Sequence, residues 1–122
     1  MLSLRAVMNP TTEARRSRRY RCYGPVRFRI LTWQITGKLI NLSLEGCQIR
    51  PTRNLELAAG DEFELRFSVN DLLFHAHCVV RWAGDDHRLG VEILRISERG
   101  RVQLLDLLRE LAAAEATTRG VR

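Results

Sequence analysis

Hydrophobic and polar residues alternate along most of the chain from Pro25 to Ile96, and a period of two marks half-buried strands. Val26, Phe28 and Ile30 interleave with Arg27 and Arg29. A second stretch, Ile35 to Leu42, runs into the turn-rich hexad Asn41-Leu42-Ser43-Leu44-Glu45-Gly46. Cys47 and Ile49 then alternate with Gln48 and Arg50 until Pro51 interrupts. Beyond a loop over 52–60, Phe63, Leu65, Phe67 and Val69 face one way, and Glu62, Glu64, Arg66 and Ser68 the other. Asn70-Asp71 predicts a hairpin turn, although it lacks the usual glycine. The following strand is expected to place Phe74, Ala76, Cys78, Val80 and Trp82 inward, against His75, His77, Val79 and Arg81. Gly84-Asp85-Asp86 turns the chain again, and Leu89, Val91 and Ile93 form a last inward row. Short strands at this spacing predict a mainly β domain, a sandwich or a small barrel. The barrel is favoured because closure removes exposed sheet edges.

After Ile96 the period becomes helical. Ser97 is the expected N-cap and Glu98 suits the first turn. Val102, Leu104, Leu105, Leu107, Leu108 and Leu111 form a broad apolar stripe, extended by Ala112 to Ala116, with fraying expected from Thr117. The stripe either packs on the barrel mouth or pairs with another subunit. Packing is the favoured reading, which predicts a monomer or a weak homodimer.

Ahead of the strands the pattern is one of charge. The net charge of +6 is not evenly spread. Residues 1–30 hold eight arginines and a single acid, Glu13, while the remainder is slightly acidic. Most of the excess lies in Arg15, Arg16, Arg18, Arg19 and Arg21, a concentration that calls for an anionic partner. The expected layout is one domain: a flexible lead over 1–12, a basic arm over 13–24, the barrel over 25–96, a helix over 97–116 and a frayed tail over 117–122. Lys38 is the only lysine, so the chain leans on arginine, whose planar fork binds phosphate or a guanine edge through two donors.

Several functions are set aside at this level. No apolar run approaches the roughly 18–20 residues that cross a bilayer. The opening segment is too short for a secretory signal. A cytoplasmic protein without a membrane span is therefore expected. Cys22, Cys47 and Cys78 form no Cys-x-x-Cys pair and read as small buried hydrophobes. His75-x-His77 shares one strand face, with His87 a hairpin away, but no carboxylate or thiolate completes a ligand set, so an exposed polar face is the favoured reading and no metal is expected. Ser43 sits in an ordinary turn and not in a Gly-x-Ser-x-Gly elbow, and Asp85-Asp86 reads as a solvated turn. No nucleophile with a base appears, so an enzyme is not expected. Trp33 and Trp82 read as core or rim aromatics, with a stacking role open for Trp33.

Two constellations remain: Arg15-x-x-x-Arg19 in the arm and Asn41-x-Ser43-x-x-Gly46 between two strands. Their order, with Glu13-Ala14-Arg15-Arg16-Ser17-Arg18-Arg19-Tyr20 and Pro25-Val26-Arg27-Phe28 around the first, resembles the PilZ domain family over roughly residues 13–111. The resemblance implies a six-stranded antiparallel β-barrel with a C-terminal helix, binding cyclic di-GMP as the basic arm closes over it, with no cofactor. It implies that Arg15 and Arg19 hold phosphates and guanine edges. Asn41 and Ser43 would bond a guanine, and Gly46 would allow a tight turn and close approach to the ligand. Arg16 and Arg18 are auxiliary candidates. The motif leaves open one nucleotide or an intercalated pair, and the downstream protein effector is unidentified. Two rivals are kept: a nucleic-acid-binding barrel using the arm on phosphates, and a protein-interaction module of the same fold that binds no nucleotide.

Overall fold

In the computed structural model, which describes residues 18–120, the strands close into a barrel. The elements are β1 (Tyr20–Ile30), β2 (Trp33–Leu42), β3 (Gly46–Pro51), β4 (Glu62–Val69), β5 (Leu72–Ala83), β6 (Leu89–Ile96) and the helix α1 (Glu98–Gly120). All pairings are antiparallel, in the closed order β1-β2-β3-β6-β5-β4. The expected lead and the arm residues Arg15 and Arg16 lie outside the described residues. β1 starts at Tyr20, earlier than the alternation suggests, because a bulge between Arg21 and Gly24 breaks the period of two there.

The inward rows pack as their pattern dictates. Val26, Phe28, Ile35, Leu39, Leu65, Phe67, Phe74 and Val80 all join one core cluster. Within it the rings of Phe28 and Phe63 stack at 4.4 Å, and those of Phe67 and Phe74 at 5.0 Å. Cys22, Cys47 and Cys78 are buried and free in the same core. Burial pushes the Cys22 thiol up to about 11 and the Cys78 thiol to about 12, so neither offers a thiolate near neutral pH.

Two expectations along β5 are corrected. Trp82 is 37% exposed, and Val79 is buried outside the core cluster. The cause lies in the β5–β6 ladder, whose register shifts at His77/Cys78 and again at Val80/Trp82. The second shift leaves Arg81 unopposed, so Trp82 turns outward where strict alternation would carry it inward. The Asn70-Asp71 turn forms as read. Both residues have positive φ (53° and 67°), as a two-residue hairpin of the primed type requires.

Ser97 caps the helix: its Oγ accepts the Gly100 N–H at 3.0 Å. Leu104 and Leu107 are fully buried in the barrel core, with Leu108 and Leu111 packed against it. A side chain outside a closed wall reaches the interior only through a mouth, so the helix plugs one end. This is the packing alternative of the sequence reading. The contact is narrower than expected, since Val102 stays exposed, and the helix continues past the expected fraying point to Gly120. No helix among the described residues is long and apolar enough to cross a membrane.

On the outer face of β4 and β5, the carboxylates that the sequence reading did not find beside the histidines are supplied by register. Glu64 is the direct cross-strand partner of His77. The His77 ring lies between Glu62 (2.7 Å from Nε2) and Glu64, bonded to Nδ1, while His75 Nε2 lies 2.8 Å from Glu64. Among the described residues no group of three such side chains is arranged to hold a metal ion. Hydrogen bonds to Glu62 and then Glu64 raise the His77 pKa above its ordinary 6.5, and the bond to His77 lowers that of Glu64 below 4.5. A raised folded-state histidine pKa contributes stability that is complete below the unfolded value and is lost as pH rises through the folded one. His77→Gln is therefore expected to cost more stability at pH 6 than at pH 9, measured by urea unfolding at both. Equal losses at the two pH values would refute the charged bridge.

Candidate functional site

The antiparallel register of β1 and β2 assembles the site. Tyr20 pairs with Leu42, which brings the root of the arm alongside the turn that follows β2. Arg19 thus lines one groove with Ser43, Leu44, Glu45 and Gly46, although the two motifs are far apart in sequence. The groove, about 1040 Å³, runs along β6 from this turn to Trp82 and Gly90, with Arg81, Arg95 and Arg101 beside it. It is of the size that drug-sized ligands occupy, roughly 300–1,000 Å³.

The Asn41-x-Ser43-x-x-Gly46 turn is built from its own side chains. Ser43 is only 4% exposed. Its Oγ donates to the Gly46 carbonyl and accepts the Glu45 and Gly46 N–H groups, each at 3.2 Å. The backbone bond from Ser43 N–H to the Gly46 carbonyl at 2.8 Å closes the same turn. Those three bonds use the hydroxyl's donor and both of its lone pairs. Asn41 is half-buried, and its Oδ1 accepts the Gln48 N–H at 3.2 Å, bracing the β2–β3 bulge that falls between Leu39 and Asn41. Its amide NH₂ stays available as a donor, but the side chain does not line the groove.

Gly46 has a physical reason within the barrel itself. It opens β3, and a Cβ there would meet the Val91 carbonyl oxygen at 2.2 Å. The approach that demands glycine is to the β6 backbone. Gly90 is a second such place, where a Cβ would fall 2.2 Å from Trp82 Nε1. The Trp82 indole therefore packs against the bare backbone of β6 at Gly90, at the end of the groove.

Arg18 is directed elsewhere than Arg19. Its guanidinium lies 5.2 Å from the centre of the Tyr20 ring and 2.5 Å from Glu115 of the helix. Trp33 is far from the groove, at the start of β2, with Arg53 stacked over it at 5.0 Å. Sequence reasoning missed Arg81, Trp82, Arg95 and Arg101. Arg81 is paired with Glu92 at 2.5 Å, whereas no ion pair engages Arg95 or Arg101 among the described residues.

The sequence model of the PilZ domain family matches residues 13–110, so the chain belongs to that family. Comparison with curated proteins finds no match. Among solved structures, YcgR in complex with c-di-GMP from Escherichia coli superposes with a TM-score of 0.74 at 20% identity, over 88% of this chain and 50% of that one. The PilZ domain with c-di-GMP of the same YcgR gives 0.67 at 20% identity, over 88% and 98%. The Bacillus subtilis inhibitor of motility (MotI/DgrA) gives 0.66 at 17%, over 80% and 51%. The chain spans about half the length of the first and last of these. At such identities the likeness establishes the six-stranded barrel with its terminal helix.

The Gly90 contact is testable in a Trp33→Phe background, where Trp82 is the only indole. Gly90→Ala is expected to expel that ring and shift its fluorescence emission to longer wavelength. An unchanged emission maximum would contradict the contact.

Proposed function

We propose that the protein is a non-catalytic receptor for cyclic di-GMP and that the groove from Arg19 to Trp82 is its binding site. The observation that carries this reading is the placement of Arg19 beside the Ser43–Gly46 turn at one end of an arginine-lined groove. Membership of the PilZ family supports it, as do the neighbours whose structures contain c-di-GMP. Arginine forks suit the ligand, because each phosphate and each guanine O6/N7 edge accepts two parallel donors. Arg15 and Arg19 are the proposed clamps of the arm, with Arg16 as an auxiliary. Asn41 lies just outside the groove lining, two residues before Ser43, and its amide donor is the proposed contact for a guanine that reaches past the groove. Ser43 and Gly46 act by fixing the turn and the β3–β6 approach that shape the groove floor.

The arm carries most of the binding energy in this reading. Charge-assisted hydrogen bonds contribute about 1.5–3 kcal/mol each. Losing one clamp therefore removes about a tenfold or larger share of the affinity. Arm closure would change the surface shown to an effector protein. The rival nucleic-acid reading explains the arm's charge but not the Asn-x-Ser-x-x-Gly turn.

Arg15→Ala and Arg19→Ala are each expected to weaken cyclic di-GMP binding by about tenfold or more, the loss of one charged hydrogen bond, with the melting temperature of the free protein unchanged. Calorimetry on both variants, with thermal shifts against cyclic di-GMP, GTP and single-stranded DNA, checks this. Near-native affinity in both variants, or stabilisation by DNA alone, would overturn it.

A further inference from the structure

The wall formed by β1 and β4 carries three arginines on its outer surface, Arg27, Arg29 and Arg66, which line an open depression of about 380 Å³. Arg27 and Arg66 are direct cross-strand partners. Like charges so placed weaken a sheet. Among the described residues none of the three has a carboxylate within ion-pair distance. Glu64, in the same depression, is engaged by His75 and His77. The sheet therefore carries an uncompensated cationic cluster at a position where its own stability would favour a neutral or acidic residue. Nearby on the outer surface, Leu73 is 78% exposed on β5 and Tyr23 is 68% exposed on β1.

We propose that this wall is a docking surface for an extended acidic segment of a partner protein. Arg27 and Arg29 project from one side of β1, about 6.6–6.8 Å apart at the strand rise, the repeat at which an extended Glu-x-Glu segment presents its carboxylates. Each guanidinium takes a carboxylate through two parallel hydrogen bonds. Arginine and tyrosine are enriched in protein interfaces, and the exposed Leu73 adds apolar area at the edge. Single-stranded nucleic acid would call for aromatic platforms interleaved with the cations; the one aromatic lining the depression, Phe28, is buried, and the exposed Tyr23 and Trp33 lie outside its lining. In the closed order β4 stands three strands from β3, and β1 three from β6. The wall therefore faces away from the groove, and a partner there leaves the groove open.

The proposal does not rest on the nucleotide reading, and its test separates the two. The full chain is titrated, by fluorescence anisotropy, with a labelled peptide of alternating glutamate and serine. The arms beside it are a lysine–serine peptide, oligothymidylate and phosphatidylglycerol vesicles. Expected are binding of the glutamate peptide alone, weakening as salt rises, and a loss of about tenfold or more in Arg27→Ala/Arg66→Ala. Cyclic di-GMP binding is unchanged in that variant. A second variant guards against a purely structural role: Arg66→Glu relieves the opposed charges and is expected to raise the melting temperature while abolishing peptide binding. Absence of glutamate-peptide binding at low salt, equal binding by the double variant, tighter binding of oligothymidylate or vesicles, or a lowered melting temperature for Arg66→Glu would overturn the proposal.

Discussion

The pairing of Tyr20 with Leu42 is the constraint on which the molecule turns. From that pair the β1–β2 ladder runs to Ile30 and Trp33, interrupted by the bulge between Arg21 and Gly24. β1 then closes the barrel against β4 through Val26, Arg27 and Phe28. The bare Gly24 admits the closure, since a Cβ there would fall 1.9 Å from the Ser68 carbonyl oxygen. A slip of one residue would drive Arg27 and Arg29 into the core and carry Val26 and Phe28 to water. The hydrophobic row that fixes the barrel therefore also sets Arg19 beside the Ser43 turn.

A second layer of constraint is backbone crowding around β6. Gly46 lets β3 approach the Val91 carbonyl, and Gly90 lets the Trp82 indole lie on the strand. Both glycines are required by strand packing, yet both shape the groove. A motif glycine that looks like a turn residue can thus act through the strand beside it. Ser43 behaves similarly, spending its hydroxyl on the turn that presents the groove's rim.

Strand number, core rows, the Ser97 cap and the Asn70-Asp71 turn were legible in the sequence because each depends on residues close along the chain. What stayed hidden depends on register between strands. The shift at Val80/Trp82 turned Trp82 outward, and nothing local announces it. Glu62 and Glu64 meet His77 only once β4 and β5 are aligned. Arg81, Arg95 and Arg101 likewise converge from β5, β6 and the helix. The arm's place beside the turn was legible only through the family resemblance, since alternation says nothing of which strands neighbour each other.

Arg18 and the helix complete the physical picture of the arm. Stacked on Tyr20 and paired with Glu115, Arg18 ties the arm's root to the helix that plugs the barrel. An exposed ion pair of this kind is worth only about 0–1 kcal/mol, so it does not hold the fold. Its effect is on direction. Consecutive residues Arg18 and Arg19 are committed to the helix side and the groove side, so the path of the arm starts from a fixed point at the rim.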